Sequence, residues 1–139
     1  MANTIHVDIV SAEGQIFAGE ATMVFAPGSE GELGIAPRHA PLLTTLKPGE
    51  VRVQVEGQEE QSFYVGGGAL EVQPHLISVL ADTAIRARDL DEAAALGAKQ
   101  RAEDAVRSRT DKIEIAEATA ELSRAVAQLR AIDRLRKRR

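Results

Sequence analysis

The chain has 139 residues, a formal net charge of −4, and 44% hydrophobic but only 3% aromatic side chains. That length suits one ordinary domain or a small domain with an appendage, with a core built from Val, Ile, Leu and Ala. Cysteine and tryptophan are absent, which excludes disulfides and thiolate sites and leaves no tryptophan platform for stacking single-stranded nucleic acid.

No apolar run approaches the roughly 20 residues needed to span a bilayer. The opening MANTIHVDIV has no basic flank and alternates too early to read as a signal peptide, so a soluble chain is expected. Charge is unevenly spread. Residues 1–88 carry 11 acidic and 5 basic side chains, a net of −6, whereas residues 89–139 carry 10 acidic and 12 basic, a net of +2. Most of that excess lies in Arg130, Arg134, Arg136, Lys137, Arg138 and Arg139. Such a tail suits an acidic partner surface; the alternative is a frayed, solvated terminus.

Ile5, Val7 and Ile9 alternate with His6 and Asp8, the period of a strand with one buried face. A turn is expected at 11–14, then short strands at 15–18 and 20–25 broken at Gly19. Val51, Val53 and Val55 alternate again, and 61–65 returns as the second half of a hairpin. The glycines at 66–68 break the chain before strands at 69–72 and 76–80. Short strands at this spacing predict an antiparallel sandwich or barrel. The three glycines lack the Lys-Ser/Thr and following helix of a phosphate loop, so a bend or close backbone approach is the better reading.

Between these strands lies GSEGELGIAPRHAPLL, from Gly28 to Leu43. Glycines at 28, 31 and 34 permit positive φ, and Pro37 and Pro41 fix the backbone around Arg38 and His39. The combination reads as a rigid presentation loop; a plain connector is the alternative. His6, His39 and His75 lack metal-ligand spacing, no serine sits in a nucleophile elbow, and the carboxylates form no marked acid–base pair. No catalytic residue, metal site or cofactor is expected.

At residues 79–92 the period changes from two to that of a helix. Asp89 followed by Glu92 has the form of a capping box, predicting a helix start there. Ala94, Ala98, Ala102 and Ala105 would share one face. Asp111 with Glu114 repeats the pattern, and Ile115, Ala118, Leu122, Ala125, Leu129 and Ile132 form a second stripe. Two helices joined by a short polar link predict an antiparallel hairpin. With so much alanine it buries little area per residue ordered, so it needs a docking surface; either two docked states or one static packing is open.

The loop from Gly28 to Leu43 resembles the signature of the epsilon subunit of the bacterial F-type ATP synthase. The resemblance continues in register through KPG at 47–49, VGGG at 65–68, LEVQP at 70–74 and LADTA at 80–84, and into DLDEA at 89–93 and AELSRAVAQLR at 120–130. It implies a flattened ten-stranded β sandwich over 1–88 and a regulatory helical hairpin over 89–139. It implies a noncatalytic rotor subunit whose partners are the gamma shaft, the membrane c-ring and the alpha and beta subunits of the catalytic head. The location implied is the cytoplasmic face of a bacterial inner membrane, reached only through the complex. Carried over, Glu32 and His39 would face the ring, Ser11 the shaft, and Arg107, Arg109, Arg124 and Arg130 the head.

Some members of that family bind ATP on the folded hairpin. Here Asp91, Arg101 and Arg124 match the pattern, but Ala94 and Gln128 stand where arginines are expected and Ile85 where a carboxylate is. Losing two guanidinium groups removes the strongest phosphate contacts, so weak or no ATP binding is expected. Two other classes compete with this reading: a small hydrolase or lectin-like sandwich, which would need a polar cluster, and a nucleic-acid binder, which the acidic sandwich and missing aromatics disfavour.

Overall fold

The computed structural model describes residues 3–108 and 111–137. It divides into two compact units, Met1–Arg86 and Ala87–Arg139. The first is a β sandwich formed by one ten-stranded sheet folded on itself.

Strand β1 (Ile5–Ser11) turns tightly into β2 (Gly14–Ala21). The break expected at Gly19 is absent. Gly19 pairs with Val7 inside β2, and a Cβ there would lie 3.2 Å from the Phe17 ring, so the glycine makes room for an aromatic rather than a turn. The chain breaks instead at Thr22, whose N–H and hydroxyl donate to the Gln54 carbonyl at 2.8 and 3.1 Å.

Strand β3 (Met23–Gly28) folds back into β4 (Gly31–Ile35). Much of the supposed loop is therefore a hairpin. Of its three glycines only Gly31 adopts positive φ, 140°. Gly28 and Gly34 serve close approach: a Cβ on Gly28 would sit 2.8 Å from the Gly31 carbonyl oxygen, and one on Gly34 3.0 Å from the Met23 methyl. The left-handed residue between the prolines is Arg38, φ 66°. Its N–H donates to the Pro74 carbonyl at 2.9 Å, which fixes the turn against the sheet.

Leu42–Leu46 continues as β5, a strand that the proline-rich setting hid from sequence reading. Strands β6 (Gly49–Gln54) and β7 (Gln61–Val65) form the expected hairpin, as do β8 (Gly68–Gln73) and β9 (Leu76–Ala81). Strand β10 (Ala84–Arg86), too short for a visible period, pairs with β7. The order is β10-β7-β6-β3-β5-β8-β9-β1-β2, with β4 hydrogen-bonded to β3. One pair departs from the expected antiparallel pattern: β1 and β9 run parallel. A hairpin forces antiparallel neighbours, but these two strands are joined by most of the domain, which leaves either direction open.

The alternating residues meet inside: Val7, Ile9, Val24, Val53, Leu70 and Val79 are all fully buried. The two ends of the strand order are tied together. Arg86 of β10 donates to the Ile16 carbonyl of β2 at 3.0 Å, and the Phe17 and Phe63 rings sit 5.4 Å apart. With so few aromatics, this pair fills the closure.

The second unit opens with a 3-10 turn, Ala87–Asp89, followed by α1 (Glu92–Ser108) and α2 (Lys112–Lys137). The cap of α1 is Asp91, not Asp89: its Oδ1 accepts the Ala94 N–H at 3.1 Å. Residues 87–89 are already wound, so the side chain free to cap is two residues later. Ala94 is exposed, while Ala95 and Ala102 are buried. Asp111 does cap α2, accepting the Ile113 N–H at 2.8 Å. Ala118 and Ala125 are buried on the expected stripe, with Leu122, Leu129 and Ile132 half-buried. The helices pack antiparallel, and the Glu92 carboxylate meets the Arg136 guanidinium at 2.5 Å.

Candidate interaction sites

Glu32 and His39 do not sit together. They flank opposite ends of β4: Glu32 follows the Gly28–Gly31 hairpin turn, and His39 closes the turn after Ile35. Glu32 is exposed and its carboxylate pairs with Arg52. His39 Nδ1 donates to the Ala40 carbonyl at 2.7 Å, so its ring is oriented by its own turn. Ser11 is also engaged locally. Its Oγ accepts the Glu13 N–H at 3.2 Å in the β1–β2 turn. Each of the three is held by a partner within the sandwich: Arg52 for Glu32, the Ala40 carbonyl for His39 and the Glu13 N–H for Ser11.

On the helical unit, Arg107 is exposed and bridges to Asp104 at 2.6 Å, a one-turn pair on its own helix. Arg109 lies outside the described residues. Arg124, half-buried, and Arg130, exposed, form no ion pair among the described residues. The Arg130 guanidinium, exposed and without a carboxylate partner among the described residues, can pair with an external anion.

The residues matched to an ATP pattern do not converge. Asp91 is the α1 cap. Taking the Glu92–Arg136 pair as the level marker, Arg101 and Arg124 lie about 14 and 18 Å further along the hairpin at 1.5 Å per residue. The two arginines are near one level, and the carboxylate is remote from both. Among the described residues no group of His, Asp or Glu could hold a metal ion.

Two models of one family match almost end to end. The ATP synthase delta/epsilon chain β-sandwich domain matches residues 4–87, and the long α-helix domain of the same chain matches 88–133. The chain belongs to the ATP synthase delta/epsilon family. Among curated relatives, the ATP synthase epsilon chain 1 of Methylococcus capsulatus is 62% identical over 139 residues, covering 100% of this chain and 99% of that one. The epsilon chain of Nitrosococcus oceani is 62% identical over 138 residues, covering 99% of each. Two solved structures share the fold. A chain in the Euglena gracilis mitochondrial ATP synthase, in an OSCP/F1/c-ring assembly, aligns with TM-score 0.84 at 18% identity, over 94% of this chain and 82% of that chain. One in the Tetrahymena thermophila central stalk and c-ring aligns with TM-score 0.67 at 14% identity, over 92% and 96%.

Within this member of the delta/epsilon family, two side-chain groups escaped sequence reading. One is Arg52, on the outward face of β6, whose guanidinium lies 4.4 Å over the Phe25 ring. The other is His6, whose Nδ1 and Nε2 meet Glu20 at 2.7 Å and Asp8 at 3.0 Å. Only a doubly protonated ring donates to both carboxylates. The Glu20 hydrogen bond, aided by Asp8 and opposed by some desolvation, raises the His6 pKa; the same bond, with one from Thr4, lowers that of Glu20. A charged residue on the polar side of each strand was the available signal, but alternation does not say which neighbours it meets.

Proposed function

We propose that this chain is a noncatalytic rotor subunit of an ATP synthase. Residues 1–88 couple the gamma shaft to the membrane c-ring, through Ser11 on the shaft side and Glu32 and His39 on the ring side. Residues 89–139 restrain ATP hydrolysis by engaging the alpha and beta subunits of the catalytic head. The observation that carries the reading is the end-to-end 62% identity with a bacterial ATP synthase epsilon chain. The fold shared with chains of F1/c-ring and central-stalk assemblies supports it.

The restraint is steric and electrostatic, with no chemistry in this chain. The buried positions of the hairpin are largely alanine, including Ala95, Ala102, Ala118 and Ala125. Each buried methyl contributes only about 0.8 kcal/mol. A partner surface that adds leucine-sized contacts and carboxylates for Arg107, Arg124 and Arg130 competes at a cost of a few kcal/mol. Arg109 belongs to the same basic set. No described helix is long and apolar enough to cross a membrane. In this reading the complex holds the subunit at the cytoplasmic face of a bacterial inner membrane, as its bacterial relatives suggest.

The test is ATP hydrolysis and proton pumping by the assembled enzyme, with the full chain and with a chain ending at Arg88. Faster hydrolysis with pumping retained is expected of the truncated form. Unchanged hydrolysis would remove the regulatory half of the reading.

A further inference from the structure

On the outward face of the sandwich, Gly34, Phe25, Arg52 and Ser62 form one cross-strand row over β4, β3, β6 and β7. Gly34 contributes no side chain, so the contact across the row runs diagonally. Arg52 lies over the Phe25 ring at 4.4 Å and donates through one nitrogen to Glu32, two residues along β4 from Gly34. Its other terminal nitrogen is 3.9 Å from the Glu60 carboxylate.

We propose that Arg52 is a positioning residue for Glu32, reaching across β3 to hold β4 and its carboxylate in the orientation offered to the rotor ring. The inference rests on the reading of Glu32 as a ring contact. Strand β4 is the one strand off the main path of the sheet, hydrogen-bonded to β3. Main-chain bonds on one side leave such a strand free to twist. A side-chain tie across β3 removes that freedom.

The exposures of the pair suit the task. The Arg52 side chain is 20% exposed and the Glu32 side chain 56%. One end is anchored on an aromatic face between two carboxylates, and the other looks outward. Lysine cannot replace it fully, because the planar guanidinium stacks on the ring while one nitrogen donates to Glu32 and another stays within ion-pair reach of Glu60. A contact residue oriented before it meets its partner loses less freedom on binding.

The test uses ATP synthase assembled with Arg52→Gln, Arg52→Lys, Glu32→Gln and the double variant Arg52→Gln/Glu32→Gln. Protons pumped per ATP hydrolysed are read in membrane vesicles, and amide hydrogen exchange of β4 in the full isolated chain. Arg52→Gln is expected to lower the pumping ratio as Glu32→Gln does, and to speed β4 exchange about tenfold. The double variant should pump no worse than Glu32→Gln alone, since both changes remove one interaction. Arg52→Lys should recover part of the loss. Additive losses in the double variant, or wild-type exchange in Arg52→Gln, would overturn the positioning role. Normal pumping by Glu32→Gln, with β4 exchange still accelerated in Arg52→Gln, would overturn the ring contact and leave the positioning of β4 standing.

Discussion

A Cβ on Gly68 would lie 2.1 Å from the carbonyl oxygen of Leu80, inside any permitted contact, and Gly68 also holds a φ of 138°. The glycine is where β8 leaves its turn against the end of β9. No L side chain fits without moving a backbone carbonyl. Gly68→Ala is expected to destabilise the sandwich by more than about 3 kcal/mol. Urea denaturation of the full chain measures this, and a loss below about 1 kcal/mol would show that β8 and β9 separate easily.

The Asp91 cap gives a second prediction. Removing its carboxylate leaves the Ala94 N–H without its side-chain acceptor. Asp91→Ala should cost about 1 kcal/mol, whereas Asp89→Ala should cost only a few tenths. Chemical denaturation followed by helical circular dichroism separates the two variants.

Two alanines of the hairpin are almost wholly shielded from solvent. Ala102 and Ala118 are 1% and 5% exposed. Leucine at either is expected to cost about 1–3 kcal/mol through overpacking. The Glu92–Arg136 bridge is different, with both side chains substantially exposed. Glu92→Gln should change stability by less than about 1 kcal/mol. Thermal melts of the three variants test the contrast.

His6 sets a pH dependence. Its folded pKa is raised, so the stability it contributes is complete below the ordinary histidine value of 6.5 and is lost as pH rises through the folded value. Glu20 is lowered, so its share is present above its ordinary 4.5 and fades as pH falls through the folded value. The interaction is fullest between those limits. His6→Gln should be less stable than the natural chain near pH 5.5, and the difference should vanish by about pH 9. Histidine-resolved NMR titration with melts at both pH values checks the direction.

Nucleotide binding should be weak. With Ala94 and Gln128 in place of guanidinium groups, and Asp91 remote from Arg101 and Arg124, few charge-assisted contacts can converge on a phosphate. Calorimetry is expected to show no saturable heat below about 1 mM ATP. A micromolar isotherm would overturn this.

Much of the sandwich was legible because valine and isoleucine repeat at the strand period, as in 5–9 and 51–55. What escaped was set by contacts distant in sequence. Gly19 reads as a breaker, yet its role is to pass the Phe17 ring, and strand β5 lies beside prolines that local propensity treats as loop. The first helix was misplaced by two residues because Asp89 and Asp91 are equally good caps on paper, and winding of residues 87–89 chose between them. Among the proposed contact residues, Glu32 was visible in a motif, but its partner Arg52 stands 20 positions away and carries no motif of its own.

By itself the sequence determined two parts of different period, the buried face of the strands at 5–9 and 51–53, the absence of cysteine chemistry, and the family through motifs kept in register. These are local properties of residue type and spacing. The tertiary structure decided which strands became neighbours, including the parallel pair β1 and β9, and which charges met across them. Pairing of distant segments depends on shape and on the polar groups left over once the core is closed, and no short window of sequence contains that information.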